Sequence, residues 1–239
     1  MNKLRIFVAC LAGTFVLPWF FLLIRPALQM SSLKPVPVFE LDESGQRVLD
    51  DAGRPNVVSF YPPLSSGSNA KGQEIYVREG CAQCHSQLIR DDRFALDAYK
   101  REWGANSDSL APIRTRPTNA RDYLAEKFPV IGLRRHGGDL SNVALRFDSR
   151  AEMHRTIYDS RISQPASSMP AYRFLYETRK IEGNGPSDRA LVLEGDRNPG
   201  EGFEVIPTDD AEALVDYLMS LNKNYTDPEE PVVAGTDGN

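Results

Sequence analysis

Two cysteines and a histidine are the residues of this 239-residue chain best suited by type and spacing to do chemistry. Cys81 and Cys84 are separated by two residues and His85 follows directly, which is the C-x-x-C-H spacing of a c-type haem attachment site. Thiols at i and i+3 project from one side of a helical turn, so each can form a thioether with a porphyrin vinyl group. The next residue then presents an imidazole to the iron. The motif predicts one covalent haem c, with His85 as the proximal ligand.

Zinc binding and thiol–disulfide exchange are two other chemistries that use a C-x-x-C pair. A zinc site would need two further Cys or His at similar spacing, but the remaining cysteine, Cys10, lies in an apolar N-terminal run. A dithiol oxidoreductase would need a βαβ context, which the helical patterns around Cys81 do not supply. Haem attachment is therefore favoured over both.

A haem that transfers electrons needs a sixth iron ligand, and the methionines and the other histidines are the candidates. Met169 is favoured because it lies in a loop and precedes a proline, which limits backbone freedom. Met153 and Met219 lie on predicted helices, where core packing is the simpler interpretation. His154 is interpreted as a solvated residue on a polar helix face. His136, His154 and an empty sixth position remain the alternatives.

The N-terminus has the pattern of a membrane anchor. Ile6–Ile24 carries no charge and is long enough to cross most of a hydrocarbon core of roughly 30 Å. Lys3 and Arg5 precede this run, which favours a cytoplasmic N-terminus. A cleaved signal peptide is the alternative, but the run is longer than usual for one and no small-x-small cleavage site follows. We predict an uncleaved anchor over residues 1–28, with the rest of the chain outside the cytoplasm.

Composition excludes several classes of protein. A hydrophobic content of 41% and a mean hydropathy of -0.40 exclude a polytopic membrane protein. Three cysteines are too few for a disulfide scaffold. Beyond Arg25 the chain has 25 basic and 33 acidic residues, a net charge of -8, with no basic stripe. Nucleic-acid binding is therefore not expected.

The remainder is predicted to be mainly α-helical and to have three parts. Residues 29–69 have the composition of an extended linker, with one short hairpin near residues 43–46. Residues 70–222 form the ordered domain, in which the Pro/Gly-rich residues 182–207 are interpreted as a surface excursion. Residues 223–239 are predicted to be an acidic, disordered tail. Within the domain, apolar spacing and capping patterns predict four helices: Lys71–Gly80, Thr118–Phe128, Ser149–Tyr158 and Asp209–Asn222.

Three stretches carry a resemblance to a known family. Residues 72–90 read G-x-x-I-Y-x-x-E-G-C-x-x-C-H-S-Q-x-I-R, residues 135–140 read R-H-G-G-D-L, and residues 169–172 read M-P-A-Y. These stretches resemble a family, the membrane-anchored mono-haem subunit II of cbb3-type cytochrome c oxidases. In order, they are similar to its haem-attachment region, its R-x-G-P-D-L segment and its Met-Pro-x-Tyr ligand loop.

The resemblance implies a class I cytochrome c fold with insertions at about residues 91–129 and 176–207. It implies that His85 and Met169 are the axial iron ligands. It also implies electron relay from another c-type cytochrome to a haem-copper catalytic subunit, at the bacterial inner membrane with the haem domain on the periplasmic side. The chain has no set of copper-binding histidines and only one apolar span, so we expect no catalysis by this subunit alone.

The sequence departs from the family at Gly138, where the family has a proline whose carbonyl accepts the proximal His N–H. The Gly138 carbonyl can still accept from His85, with a less rigid loop. Arg134, Arg135 and Arg116 are candidates for binding haem propionates, because guanidinium binds carboxylate bidentately; solvated surface charge is the equal alternative.

Two other functions share parts of this pattern. The anchored cytochrome subunit of a nitric oxide reductase also has one N-terminal span and one haem c, but S-Q-x-I-R and M-P-x-Y fit the oxidase subunit better. A haem enzyme or gas sensor with an open sixth site is the alternative from a different class.

Overall fold

The computed structural model describes residues 2–63, 67–91, 93–97, 116–126, 128–183 and 185–223. It divides into two compact units. The first comprises Met1–Pro62 with Asn119–Leu124, and the second comprises Pro63–Thr118 with Ala125–Asn239. The mainly helical class predicted from the sequence is confirmed.

The first unit begins with the apolar helix Lys3–Ser31, which is long and apolar enough to cross a membrane. It consists of α1 (Lys3–Trp19), a π-helical segment (Phe20–Ile24) and α2 (Arg25–Ser31). None of its residues is buried, as expected of a helix whose surroundings are lipid or another protein.

The segment predicted as an extended linker contains regular structure. Strand β1 (Val36–Phe39) pairs antiparallel with β2 (Val57–Tyr61). Between them, the Asp42 carboxylate accepts hydrogen bonds from backbone N–H groups of the turn at residues 43–46, and Asp50 does the same in a second turn. Such Asx turns fix short β connections without a hydrophobic pattern. The linker prediction therefore missed this paired segment, although the predicted hairpin near residues 43–46 coincides with the first turn.

The predicted helix Thr118–Phe128 is wrong. In the described part of this segment, residues 118–126 and 128, the helical structure is a single 3-10 turn, Ala120–Tyr123. The Asp122 carboxylate accepts hydrogen bonds from the Asn119 backbone N–H and from the Tyr61 hydroxyl, each at 2.8 Å. These bonds stabilise this short turn.

In the second unit, α3 (Ser68–Arg78) packs against α6 (Asp209–Ser220). The helices come into close contact at Gly72, where a Cβ atom would overlap the Ala213 carbonyl oxygen and approach Tyr217 Cβ to 2.6 Å. The absence of a side chain at Gly72 therefore permits this close contact between the two helices.

Helix α5 (Arg150–Asp159) is capped by the Ser149 hydroxyl, which accepts from the Glu152 N–H at 3.2 Å, so the predicted helix here is confirmed. The predicted C-terminal helix is also confirmed as α6, which buries Leu214 and Leu218.

His154 does not lie on a solvated face. It is 6% exposed, its Nδ1 is 3.2 Å from the Tyr176 hydroxyl oxygen, and its Nε2 is 3.4 Å from a Glu212 carboxylate oxygen. Burial is the main cause that lowers the pKa of this imidazole, while Glu212 acts in the opposite direction. The interpretation of His154 as a surface residue is therefore wrong. Local sequence could not reveal this environment, because both polar partners of His154 are distant in the sequence.

The second predicted insertion is folded onto the core. Strands β3 (Tyr176–Lys180) and β4 (Phe203–Pro207) pair antiparallel. Leu193 and Val205 are 6% and 2% exposed and belong to the hydrophobic core. The interpretation of residues 182–207 as a surface excursion is therefore wrong at these positions.

Lys223, the first residue of the predicted tail, is held by the domain. Its backbone N–H donates to the Ser141 carbonyl oxygen at 3.0 Å, and its buried ammonium group forms an ion pair with Glu126. Residues 224–239 of the predicted tail lie outside the described residues, as do residues 92, 98–115 and 127 of the first predicted insertion.

Candidate haem-attachment site

Helix α4 (Cys81–Cys84) is one short turn that follows α3. Cys81 is half-buried and Cys84 is exposed, and neither is in a disulfide. His85 directly follows with extended backbone angles, φ -111° and ψ 141°. The two thiols therefore occupy i and i+3 of a single turn, as the motif predicts.

The imidazole of His85 is held against a glycine-rich segment. Its Nδ1 lies 2.8 Å from the Gly138 carbonyl oxygen, which leaves Nε2 as the ring atom for a metal. Burial lowers the pKa of His85, against the opposing effect of the Gly138 carbonyl, and so favours the neutral imidazole that a metal binds. A Cβ atom on Gly137 would overlap this ring. Sequence analysis singled out Gly138 and missed Gly137, although both belong to the same R-H-G-G-D-L segment.

Backbone hydrogen bonds wrap residues 131–137 around the motif. Leu133 N–H donates to the Ala82 carbonyl oxygen and Gly137 N–H donates to that of Cys84, each at 2.9 Å. Leu133 and Ile131 expose 73% and 42% of their surface. Large apolar side chains exposed beside two thiols and an imidazole form a surface that an apolar planar group can cover.

Asp139 anchors the residues that follow His85, and sequence analysis did not identify it. This buried carboxylate accepts from the Ser86 hydroxyl at 2.6 Å, and from the backbone N–H groups of Leu88 and Ser141 at 2.8 Å each. The Gln87 side-chain amide donates to the Tyr217 hydroxyl at 2.9 Å. The Ser-Gln pair after the motif thus connects it to two distant segments.

Arg135 lies in an internal ion-pair network. Its Nη1 is 2.7 Å from the Asp97 carboxylate and its Nη2 is 2.6 Å from the Leu88 carbonyl oxygen. Arg90 binds the same fully buried carboxylate with two nitrogens, at 2.8 and 3.0 Å. Burial of Asp97 opposes its ionisation, but the hydrogen bonds from Arg90 and Arg135 outweigh burial and lower its pKa to about 2. The terminal nitrogens of Arg135 are therefore engaged within the protein.

Arg134 and Arg116 are the other two arginine candidates for propionate binding. Arg134 is exposed, and Arg116 is half-buried with its Nη1 2.9 Å from the Pro117 carbonyl oxygen.

The loop that contains Met169 approaches the motif through Tyr172. The Tyr172 hydroxyl and the Cys81 thiol are hydrogen-bonded, and burial is the main cause that raises their pKa values, to about 12 and about 11. Met169 is half-buried and its N–H donates to the Ser167 hydroxyl at 3.2 Å. His136 is exposed and His154 is enclosed beside Tyr176.

The site has the donors and the apolar surface that one haem requires. The described residues contain no cluster of three or more His, Cys, Asp or Glu side chains that could hold a metal ion directly. A family model described as the cytochrome c oxidase mono-haem subunit (FixO) matches residues 54–193. The chain belongs to this family.

Membership of the FixO family confirms the resemblance seen in the sequence. It supports one haem, a role in electron transport, and association with a cytochrome c oxidase complex. The matched range includes the C-x-x-C-H motif, the glycine segment and the Met169 loop. Among curated proteins, no match to this chain was found.

Proposed function

We propose that this chain is the membrane-anchored cytochrome subunit that relays electrons to the haem-copper catalytic subunit of a cbb3-type oxidase. The observation that carries the proposal is that Cys81 and Cys84 share one turn and His85 directly follows it, with His85 Nδ1 held 2.8 Å from Gly138 O, in a chain of the FixO family. When bound, the haem iron supplies one-electron redox chemistry.

The chain's own residues bind and orient that group. Cys81 and Cys84 would hold it through thioether bonds. His85, in the tautomer that the Gly138 carbonyl selects, and Met169 would supply the protein ligands of the iron. Methionine ligation raises the reduction potential relative to two imidazoles, which suits a carrier close to an oxygen-reducing site. Arg134, Arg135 and Arg116 are the candidates for propionate binding, and the two terminal nitrogens of Arg135 also contact Asp97 and the Leu88 carbonyl oxygen.

The helix Lys3–Ser31 anchors the subunit in the bacterial inner membrane, with the haem domain on the periplasmic side. A tether of this kind raises the effective concentration of the haem domain at its acceptor. The electron donor is another c-type cytochrome.

Covalent attachment is tested on the full-length chain, produced with the bacterial cytochrome c maturation system and purified in detergent. The intact mass should exceed that of the polypeptide by one haem. Cys81→Ala and Cys84→Ala should each lose one thioether or the whole group, whereas Cys10→Ala, the matched control, should keep both. Full covalent haem in either of the first two variants would contradict the attachment assignment.

The partner is tested by purifying the subunit from its native membranes and identifying the co-purifying chains. A haem-copper oxidase catalytic subunit supports the proposal, and the catalytic subunit of a nitric oxide reductase contradicts it.

A further inference from the structure

Asp159, the last residue of α5, binds three arginines. Its fully buried carboxylate lies 2.9 Å from Arg161 Nε, 2.6 Å from Arg173 Nη2 and 3.2 Å from Arg197 Nε. Burial disfavours the carboxylate anion, but the three guanidinium groups outweigh burial and hold the pKa of Asp159 well below its usual range. A single buried anion therefore joins three cationic side chains, and its removal would take away the carboxylate that all three share.

Two of the three arginines flank the loop that contains Met169. Arg161 precedes this loop and Arg173 follows it, so both ends converge on one carboxylate at the end of α5. The Tyr172 N–H reinforces the closure by donating to the Ile157 carbonyl oxygen at 3.1 Å.

A chain of serine hydrogen bonds connects the base of the loop to Met169. The Ser160 hydroxyl donates to the Ser167 hydroxyl at 2.8 Å, and this oxygen accepts from the Met169 N–H at 3.2 Å. The backbone of Met169 is thus tied to the residue that follows Asp159.

The third arginine comes from the region for which sequence analysis found no role. Arg197 ends the 3-10 turn Gly195–Arg197, shortly after Leu193 enters the hydrophobic core. Because Leu193 is buried and the flanking strands β3 and β4 are paired, this region holds Arg197 in a fixed position beside Asp159.

We propose that Asp159, Arg161, Arg173 and Arg197 form a clamp that keeps the Met169 loop closed over the iron, and that residues 176–207 serve to supply Arg197. These four residues are positioning residues. The inference rests on the proposed function, because it requires Met169 to be the sixth ligand.

The clamp predicts how easily an added ligand displaces Met169. Imidazole binds the sixth site only when the loop is open, so its apparent affinity is proportional to the open fraction. In the haem-loaded full-length protein, Asp159→Asn should tighten imidazole binding on the order of tenfold, and Arg197→Gln about threefold. Both variants should weaken the sulfur–iron charge-transfer band of the oxidised protein.

Arg179→Gln is the matched control, because it breaks an arginine–carboxylate pair of the same region, Arg179 with Glu204 at 2.7 Å, without touching Asp159. Its imidazole affinity should stay at the wild-type value. A shift equal to that of Arg197→Gln would show general loosening of the region and would overturn the clamp. If Asp159→Asn does not fold, Arg197→Gln alone decides, and wild-type affinity in that variant rejects the clamp.

Met169→Ala separates the clamp from the ligand assignment. This variant should bind imidazole most tightly of all. If its affinity equals that of wild type, Met169 is not the ligand and the proposed function fails at that point, together with the clamp. If Met169→Ala binds more tightly while Asp159→Asn does not, the ligand assignment stands and only the clamp is overturned.

Discussion

His85 Nδ1 and the Gly138 carbonyl oxygen lie 2.8 Å apart, and Gly137 leaves room for the imidazole beside them. The orientation of the His85 ring is therefore set by the backbone of this glycine pair. The proline that the family has at position 138 is not needed for this contact.

Gly137→Ala should displace the His85 ring, because the added Cβ would occupy the space of the imidazole. We expect a loss of about 1–3 kcal/mol in the free energy of unfolding and a smaller fraction of low-spin haem. Thermal unfolding and the visible spectrum measure the two effects. Gly13→Ala, where a Cβ meets no atom within 4 Å, is the control. Wild-type stability and spectrum in Gly137→Ala would show that the ring is not confined by this glycine.

Asp139→Asn should loosen the segment after His85. One carboxylate oxygen accepts both the Ser86 hydroxyl and the Leu88 N–H, and an amide NH2 at that position cannot accept either. The expected cost is about 1–3 kcal/mol in denaturant unfolding. Asp148→Asn, at an exposed position in the same region, should cost less than about 0.5 kcal/mol. Equal stability of the two variants would rule out an anchoring role for Asp139.

Asp97→Asn should destabilise the second unit by about 1–3 kcal/mol, because Arg90 and Arg135 lose a shared, fully buried anion. Arg54→Gln breaks an exposed pair with Asp50 and should change unfolding by about 0–1 kcal/mol. Chemical denaturation of both variants provides the comparison. An Asp97→Asn chain as stable as Arg54→Gln would mean that the network contributes no net stability.

Stability should fall as the pH is lowered from 7 to 5, in part through His154. Since burial lowers the pKa of His154 in the folded state, the unfolded state binds its proton more readily, and the free energy of unfolding decreases below the unfolded pKa of about 6.5. His154→Gln should reduce this slope. Tyr176→Phe removes the neighbouring hydroxyl but keeps the imidazole, so it should retain a slope of the same sign. An identical slope in wild type and His154→Gln would contradict this contribution.

The features predicted correctly from the sequence are those encoded by local spacing. Helix α6 follows from an apolar stripe, α5 from the Ser149 cap, and the attachment turn from C-x-x-C-H. The features that were missed depend on partners far along the chain. The environment of His154 requires Glu212, and the role of Arg135 requires Asp97. No local pattern encodes such pairs, so a single sequence cannot supply them.

The paired strands in residues 36–61 were missed for a different reason. Strands β1 and β2 are short, and the turns between them are fixed by aspartate side chains rather than by alternating hydrophobicity. A composition rich in proline and serine therefore obscured them.

The close contact of α3 with α6 affects the order of events during folding. Gln87 and Tyr217, which join the attachment segment to α6, are 130 residues apart in the chain. Because synthesis begins at the N-terminus, Cys81 and Cys84 are made well before α6. During this interval the two thiols are present without the helix that later packs against this region. Any chemistry at these two thiols can therefore take place before the last helix docks.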